Sequence, residues 1–402
     1  MAVNEAFAPP IVPARAAPAP VGFFNDRRVF RRMVGRGALL EFVTVGFYRF
    51  WLATDMRRHL WSHTAVGGDT AEYTGTAREL LIGFLFAVAI LAPIYFIYFL
   101  LGLEAERYKA FASAPMGVFF YLFTQFAVYR ARRYRLTRTV WRGVRFWMTG
   151  SGWNFAWRVG LWTLLVLVTL GIALPWRAAA LERFKMRHTS YGNQRGRFAA
   201  TGTELFKRGW GLWAIMMAPI VLAIILGVTK HEVLAGIMAF VPFIAAPFVY
   251  PVYKAIEWRW WVDGIRFGEV RFESSLRRGA LIGLYWKVIG WSLLVFFLLS
   301  CWVGGVIGIT VALSGIHGTT SQEVTMMAQS AGVLIPIGVG YVMAILAFWM
   351  VTRIYLMHDV WRHVAQSTAV YDLATAEDVV AEGKPVGALG EGFADSLDVV
   401  GF

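Results

Sequence analysis

The chain has 402 residues, of which 58% are hydrophobic, 16% aromatic and only 16% charged, with a mean hydropathy of +0.54. A soluble domain is nearer half apolar with about a quarter charged residues, so this excess demands lipid rather than a larger core. The net charge of +14 then reads as basic loops at a membrane surface and not as nucleic-acid binding, while the single cysteine, Cys301, excludes intrachain disulfides and a cysteine zinc site.

Taken in order, residues 1–22 are rich in proline and alanine and are expected to form a disordered tail. Arg27, Arg28, Arg31, Arg32 and Arg36 follow. The first apolar segment, 37–52, carries Glu41 and Arg49 and is too short for a hydrocarbon core of roughly 30 Å at 1.5 Å per residue. Spans are expected at 80–103 and 116–129, around a loop holding Glu104, Glu106, Arg107 and Lys109. Residues 130–148 hold seven arginines and no acid. An apolar segment at 153–176, interrupted by Arg158 and closed by Pro175, leads to 177–208 with eight Lys or Arg. Further spans are expected at 209–228, 234–250, 279–313 and 331–351, the last two joined by a loop, 314–330, with no Lys or Arg. Trp258, Trp260 and Trp261 read as an interfacial belt. Gly304 and Gly308, like Gly279 and Gly283, have the spacing of close helix contacts.

One stretch occurs twice. Val168-Thr169-Leu170-Gly171-Ile172, Trp176, Arg183, His188-Thr189, Gly192, Phe198, Thr201 and Glu204-Leu205 repeat Val43-Thr44-Val45-Gly46-Phe47, Trp51, Arg58, His63-Thr64, Gly67, Tyr73, Thr76 and Glu79-Leu80 at an offset of 125 residues. A tandem internal repeat is the reading. Basic loops flank each Val-Thr-x-Gly segment, and short basic loops stay on the cytoplasmic side. Both segments are therefore expected to be re-entrant or interfacial, leaving six crossing helices in three hairpins with both termini cytoplasmic; eight crossings is the alternative. Ile265-Arg266-Phe267 and Val270-Arg271-Phe272 alternate around Gly268-Glu269, a two-residue hairpin signal, and residues 188–198 read similarly. The fold expected is mainly α and polytopic, with short cytoplasmic β-hairpins that pair into one small sheet. Its parts are the tail 1–22, membrane repeats at 23–130 and 131–252, a third cytoplasmic hairpin and membrane hairpin at 253–356, and a cytoplasmic tail at 357–402.

The pattern Thr169-Leu170-Gly171-Ile172, Pro175-Trp176, His188-Thr189, Phe198, Gly202-Thr203-Glu204-Leu205 resembles the YjgN family of bacterial inner-membrane proteins, a domain of unknown function numbered 898. The ending Gly387-Ala388-Leu389-Gly390-Glu391-Gly392-Phe393-Ala394-Asp395 is similar to that family's ending, and the resemblance covers nearly the whole chain from about residue 23. The first copy departs from the pattern, carrying Arg49 where the family is apolar. The resemblance implies an inner-membrane location and no catalytic residues. It also implies a membrane-associated metallopeptidase as partner, since genes of the family neighbour such enzymes.

Charges inside apolar segments are costly, which makes Glu41, Arg49, Arg158 and Lys287 candidates for functional groups; the bland reading is snorkelling at an interface or, for Glu41, an internal pair. Glu79 and Glu204 either favour the macrodipole of a helix start or line a cavity. His59 and His63 have the spacing of a helical metal pair, but only His63 recurs, as His188, which favours structural His-Thr turns at His63-Thr64 and His188-Thr189. Trp51 and Trp176 are expected at matching interfacial depths. No enzyme motif, metal site or cofactor site is found. The functional expectation is a transporter or channel for a small solute or lipid, argued from the repeat. The alternative is a membrane scaffold whose basic face binds anionic lipid or a protein partner.

Overall fold

The computed structural model describes residues 18–105, 113–314, 330–383 and 386–387. Most of the expected tail, the loop with Glu106, Arg107 and Lys109, most of the 314–330 loop and most of the C-terminal motif lie outside them.

The chain alternates β-hairpins with helical hairpins. Strand β1 (Ala19–Phe23) leads into α1 (Arg27–Val43), α2 (Arg49–Ser62) and β2 (Thr64–Val66). A two-residue turn gives β3 (Asp69–Tyr73), then α3 (Ala77–Ala105), α4 (Ser113–Thr137) and β4 (Thr139–Trp141). The third unit is β5 (Val144–Met148), α5 (Gly152–Val168), α6 (Leu174–Arg187) and β6 (Thr189–Tyr191). The fourth is β7 (Gln194–Phe198), α7 (Gly202–Val228), α8 (Glu232–Gly264) and β8 (Ile265–Phe267). The fifth is β9 (Val270–Ser274), α9 (Ile282–Ser314), α10 (Ala331–Thr352), a π-helical turn (Arg353–Asp359), α11 (Val360–Gln366) and β10 (Thr368–Tyr371).

The ten strands, each antiparallel to its neighbours, form a closed barrel that β10 completes by pairing with β1, Ala19 opposite Val370. Because successive strands are joined alternately by tight turns and helical hairpins, all turns lie at one barrel end and all helices leave from the other. Strands of three to five residues give a wall roughly 10–17 Å tall at about 3.3 Å per residue. The pleat sends alternate residues inward. Val21, Phe23, Trp141, Tyr191, Val270 and Val370 are buried there, with Phe146, Phe267 and Phe272 packed on them. Arg195, Arg197, Glu72 and Glu273 occupy the alternate, exposed positions. Tyr191 donates to Trp141 O at 3.0 Å, and burial pushes its hydroxyl up to about 12.

Both barrel ends are stoppered. At the turn end the chain after β10 crosses the opening, where Leu373, Ala376 and Val379 join the core and Val380 O accepts from Asn193 N at 3.1 Å. At the helix end Phe30, Val34, Leu52, Met56, Leu60 and Ile354 continue the same core. Two sequence boundaries are thereby corrected. Residues 19–22, assigned to the disordered tail, are strand, since pairing with β2 and β10 satisfies their backbone. The tail from 357 begins with the end of the π-turn, α11, β10 and the stopper. The small sheet expected of the hairpins is a closed barrel.

The Val-Thr-x-Gly segments are the tips of short helical hairpins. At both tips the residue before glycine has positive φ, Val45 at 52° and Leu170 at 49°, and the glycine, Gly46 or Gly171, follows at 86°. Gly46 N bonds Glu41 O at 2.7 Å and Gly171 N bonds Val166 O at 2.8 Å, closing each helix in a Schellman turn. The threonine hydroxyls donate to Leu40 O and Leu165 O at 2.7 and 2.8 Å and accept from Tyr48 N and Ala173 N. The tips are apolar and bare, Val45 at 87% and Leu170 at 70% exposure.

Among the described residues, five helical segments are long and apolar enough to cross a membrane: Ala77–Leu100, Gly202–Val228, Glu232–Gly264, Ile282–Leu313 and Ala331–Gln366. At most 17% of any of their apolar windows is buried inside the protein, so lipid must cover the remainder. α4 contains the expected 116–129 span but is not among the five; Arg130, Arg132, Arg133 and Arg135 extend it into a basic foot. Trp260 departs from the expected belt. It is 1% exposed, packs edge-on against Phe198 and donates to Thr201 O at 2.9 Å. Gly304 and Gly308 face open space, so their spacing serves no contact among the described residues.

Candidate functional site

A partly buried polar group lies where the first and fifth units meet, at the helix end of the barrel. Asn25 ends the β1–α1 link beside Asp26, the N-cap that accepts from Arg28 N at 2.8 Å. Its amide reaches His59 Nε2 on α2 and His358 Nε2 on the π-turn, both at 2.9 Å. His358 Nδ1 lies 2.8 Å from Asp359 Oδ1, and Arg27 donates to Asp359 Oδ2 at 2.5 Å.

Donor and acceptor bookkeeping orders this chain. Asp359, paired with Arg27, accepts, so His358 Nδ1 donates to it. His358 Nε2 is then an acceptor, Asn25 Nδ2 donates to it, and Asn25 Oδ1 accepts from His59 Nε2. Burial lowers the His59 imidazole to about 4, with His63 and His358 adding to the effect. Phe30 lies against both rings, 5.7 Å from His59 and 4.6 Å from His358. His358 is fully buried, and no group of three His, Cys, Asp or Glu that could hold a metal occurs among the described residues. Buried at His358 and Asp359, with Arg27 Nε left without a partner, a hydrogen-bonded chain of this kind specifies how two elements dock.

A second pair fastens the far end of α1. Arg353 grips Glu41 bidentately, Nη1 and Nη2 each 2.9 Å from a carboxylate oxygen, with Glu41 at 3% exposure. The internal pair named as one reading of Glu41 is therefore its environment. The π-turn carries Arg353, His358 and Asp359 on one winding, and α1 and its link carry Glu41, Arg27 and Asn25. Together they form the polar seam of the ring.

The other sequence-selected residues lie elsewhere. Arg158 is exposed on α5 with its guanidinium 5.2 Å from the Phe184 ring, and Lys287 is exposed on α9. Arg49 stacks over Phe50 and Phe84 at 4.8 and 4.6 Å. Glu79 accepts from Tyr134 Oη at 2.6 Å and pairs with Arg138 at 3.1 Å. Glu204 completes a capping box with Thr201 at the start of α7. His63 Nδ1 donates to His59 O at 2.6 Å and His188 Nδ1 to Phe184 O at 2.7 Å, while Thr64 and Thr189 bond Leu60 O and Lys185 O. Trp51 is 41% exposed beside Tyr48, whereas Trp176 is half-buried against Phe206. Sequence reasoning missed Asn25, Arg27, Arg353, His358 and Asp359. The one signal was that Glu41, in an apolar segment, required a cation.

Long apolar helices bared to their surroundings and rooted in a filled barrel define a multi-pass membrane protein. The chain belongs to the family described as "Bacterial protein of unknown function (DUF898)", which matches residues 18–396. No curated protein and no solved structure matches it.

Proposed function

We propose that this is a scaffold of the bacterial inner membrane, holding a rigid barrel against the cytoplasmic leaflet for a protein partner. The observation that carries the reading is the filled and doubly stoppered barrel. A solute path along its axis would cross Trp141, Phe146, Tyr191, Phe267 and Phe272, so the geometry favours docking over the transport expected from the repeat. In this reading the hairpins of units two, four and five cross and return, α4 making the sixth crossing. The short hairpins of units one and three dip in and come back, as the 125-residue repeat suggests. The barrel faces the cytoplasm because the basic feet of α4 and α6 lie at its rim. The family resemblance makes a membrane-associated metallopeptidase the first partner to test.

Two measurements test it. Single cysteines at the exposed positions Arg195 and Glu269, in a Cys301→Ala background, should escape an impermeant thiol reagent in spheroplasts and react in inverted vesicles. The opposite pattern would place the barrel outside. Proteoliposomes should retain trapped protons, potassium and small neutral solutes; saturable, protein-dependent flux would restore the transporter reading.

A further inference from the structure

At the junction of the fourth and fifth units, three arginines from three elements surround one small cavity. Arg208 comes from the foot of α7, Arg259 from the end of α8 and Arg278 from the link between β9 and α9; Ala255, Ile256 and Leu276 give an apolar floor, and the volume is about 230 Å³. Asp263 pairs with two of them. Its Oδ2 lies 3.2 Å from Arg208 Nη1 and 4.0 Å from Arg259 Nε, while its Oδ1 accepts from Ser274 N at 2.9 Å. One carboxylate thus positions two guanidiniums, and Arg278 is exposed with no ion-pair partner among the described residues. Positive charge remains in excess around an apolar-floored hollow.

We infer that this cavity binds the phosphate of an anionic phospholipid headgroup. Guanidinium forks match phosphate oxygens bidentately, which a lone surface lysine does not. Position argues for lipid over a soluble phosphate. Arg208 stands one residue before the apolar run of α7, and Arg278 stands four before α9 begins. The cavity therefore opens at the level where two bared apolar helices enter the bilayer, and its apolar floor suits the glycerol end of a lipid. The inference rests on the membrane reading above and deepens it from a diffuse basic face to one built site.

The test titrates the full-length protein in a neutral detergent with dihexanoyl phosphatidylglycerol, dihexanoyl phosphatidylcholine and inorganic phosphate, following binding by calorimetry. The phosphatidylglycerol is expected to bind at least about tenfold more tightly than either other probe. Arg278→Gln should weaken it about tenfold or more, the loss of one charge-assisted bond. Arg278 is exposed and unpaired, so this variant keeps the fold. Arg208→Lys with Arg259→Lys keeps the charge but loses the forks and should also weaken binding, whereas Arg195→Gln, near the turn end of the barrel, should not. Equal binding of the two lipids, or an Arg278→Gln variant that binds normally, overturns the site. Inorganic phosphate binding as tightly as phosphatidylglycerol overturns the lipid assignment. Detergent titration does not depend on which side the barrel faces, so its failure is distinct from failure of the thiol labelling.

Discussion

His59 shows how a side chain acquires its character from its surroundings. Its imidazole sits against Phe30 with Nε2 committed to Asn25, so the folded protein holds it neutral down to about pH 4, against an ordinary value near 6.5. The unfolded chain therefore binds the extra proton first. Stability is full above about pH 6.5 and falls as pH drops toward 4, because unfolding then takes up a proton. Thermal unfolding in detergent should show a lower Tm at pH 5 than at pH 7, and His59→Gln should flatten that difference. An unchanged slope in the variant would assign the pH dependence to other groups. Glu41 and Arg353 give a sharper case. Arg353→Met leaves a buried carboxylate unpaired and should cost about 3–5 kcal/mol, whereas Glu41→Gln with Arg353→Met should recover much of it. A double variant as unstable as the single one would show that the pair itself, not the orphaned charge, carries the stability. Glu41 was legible in the sequence because a charge in an apolar run needs an explanation. Its partner was not, since the two stand 312 residues apart and no local pattern links them.

At the scale of elements, the β-hairpins were the most readable part. Gly268 has φ of 56°, the conformation its Gly-Glu turn between alternating strands implied. A Cβ there would sit 2.5 Å from Gln194 Oε1. Gly268→Val should therefore cost about 1–3 kcal/mol through backbone strain, and Gly268→Ala less, read as a drop in unfolding temperature. Equal stability of glycine and valine would contradict the strained turn. β1 and β10 were missed for a physical reason. Neither has a hairpin partner next to it in sequence, so no turn signal announces them, and four or five residues beside proline or after a helix look irregular on their own. The seam residues were hidden the same way, because the π-turn that gathers them has no sequence period of its own.

At the scale of the molecule, closure is what the sequence could not convey. The five units share little beyond short strands and a turn; four of them add a threonine at the foot of the returning helix, Thr64, Thr139, Thr189 and Thr368, each bonded four residues back, where the fourth unit has Ile265. Only units far more alike would have announced a ring. Closure has its own test. Pro20 and Ala369 are opposite each other across the β1–β10 ladder. Cysteines at both positions in a Cys301→Ala background should oxidise to an intramolecular cross-link that speeds migration without reducing agent. Cross-linking only between chains would mean that the ring closes by exchange between copies.

The seam also sets a schedule for synthesis. Asn25 and His358, which meet there, are 333 residues apart. At about 5–20 residues per second the ribosome needs roughly 20–70 s to make the second after the first. Throughout that interval β1 offers an unpaired edge and α1 an unanswered carboxylate, while later hairpins are being threaded into the bilayer. Such an edge invites pairing with any strand at hand. Until β10 arrives that edge stays open, and its pairing with β1 closes it.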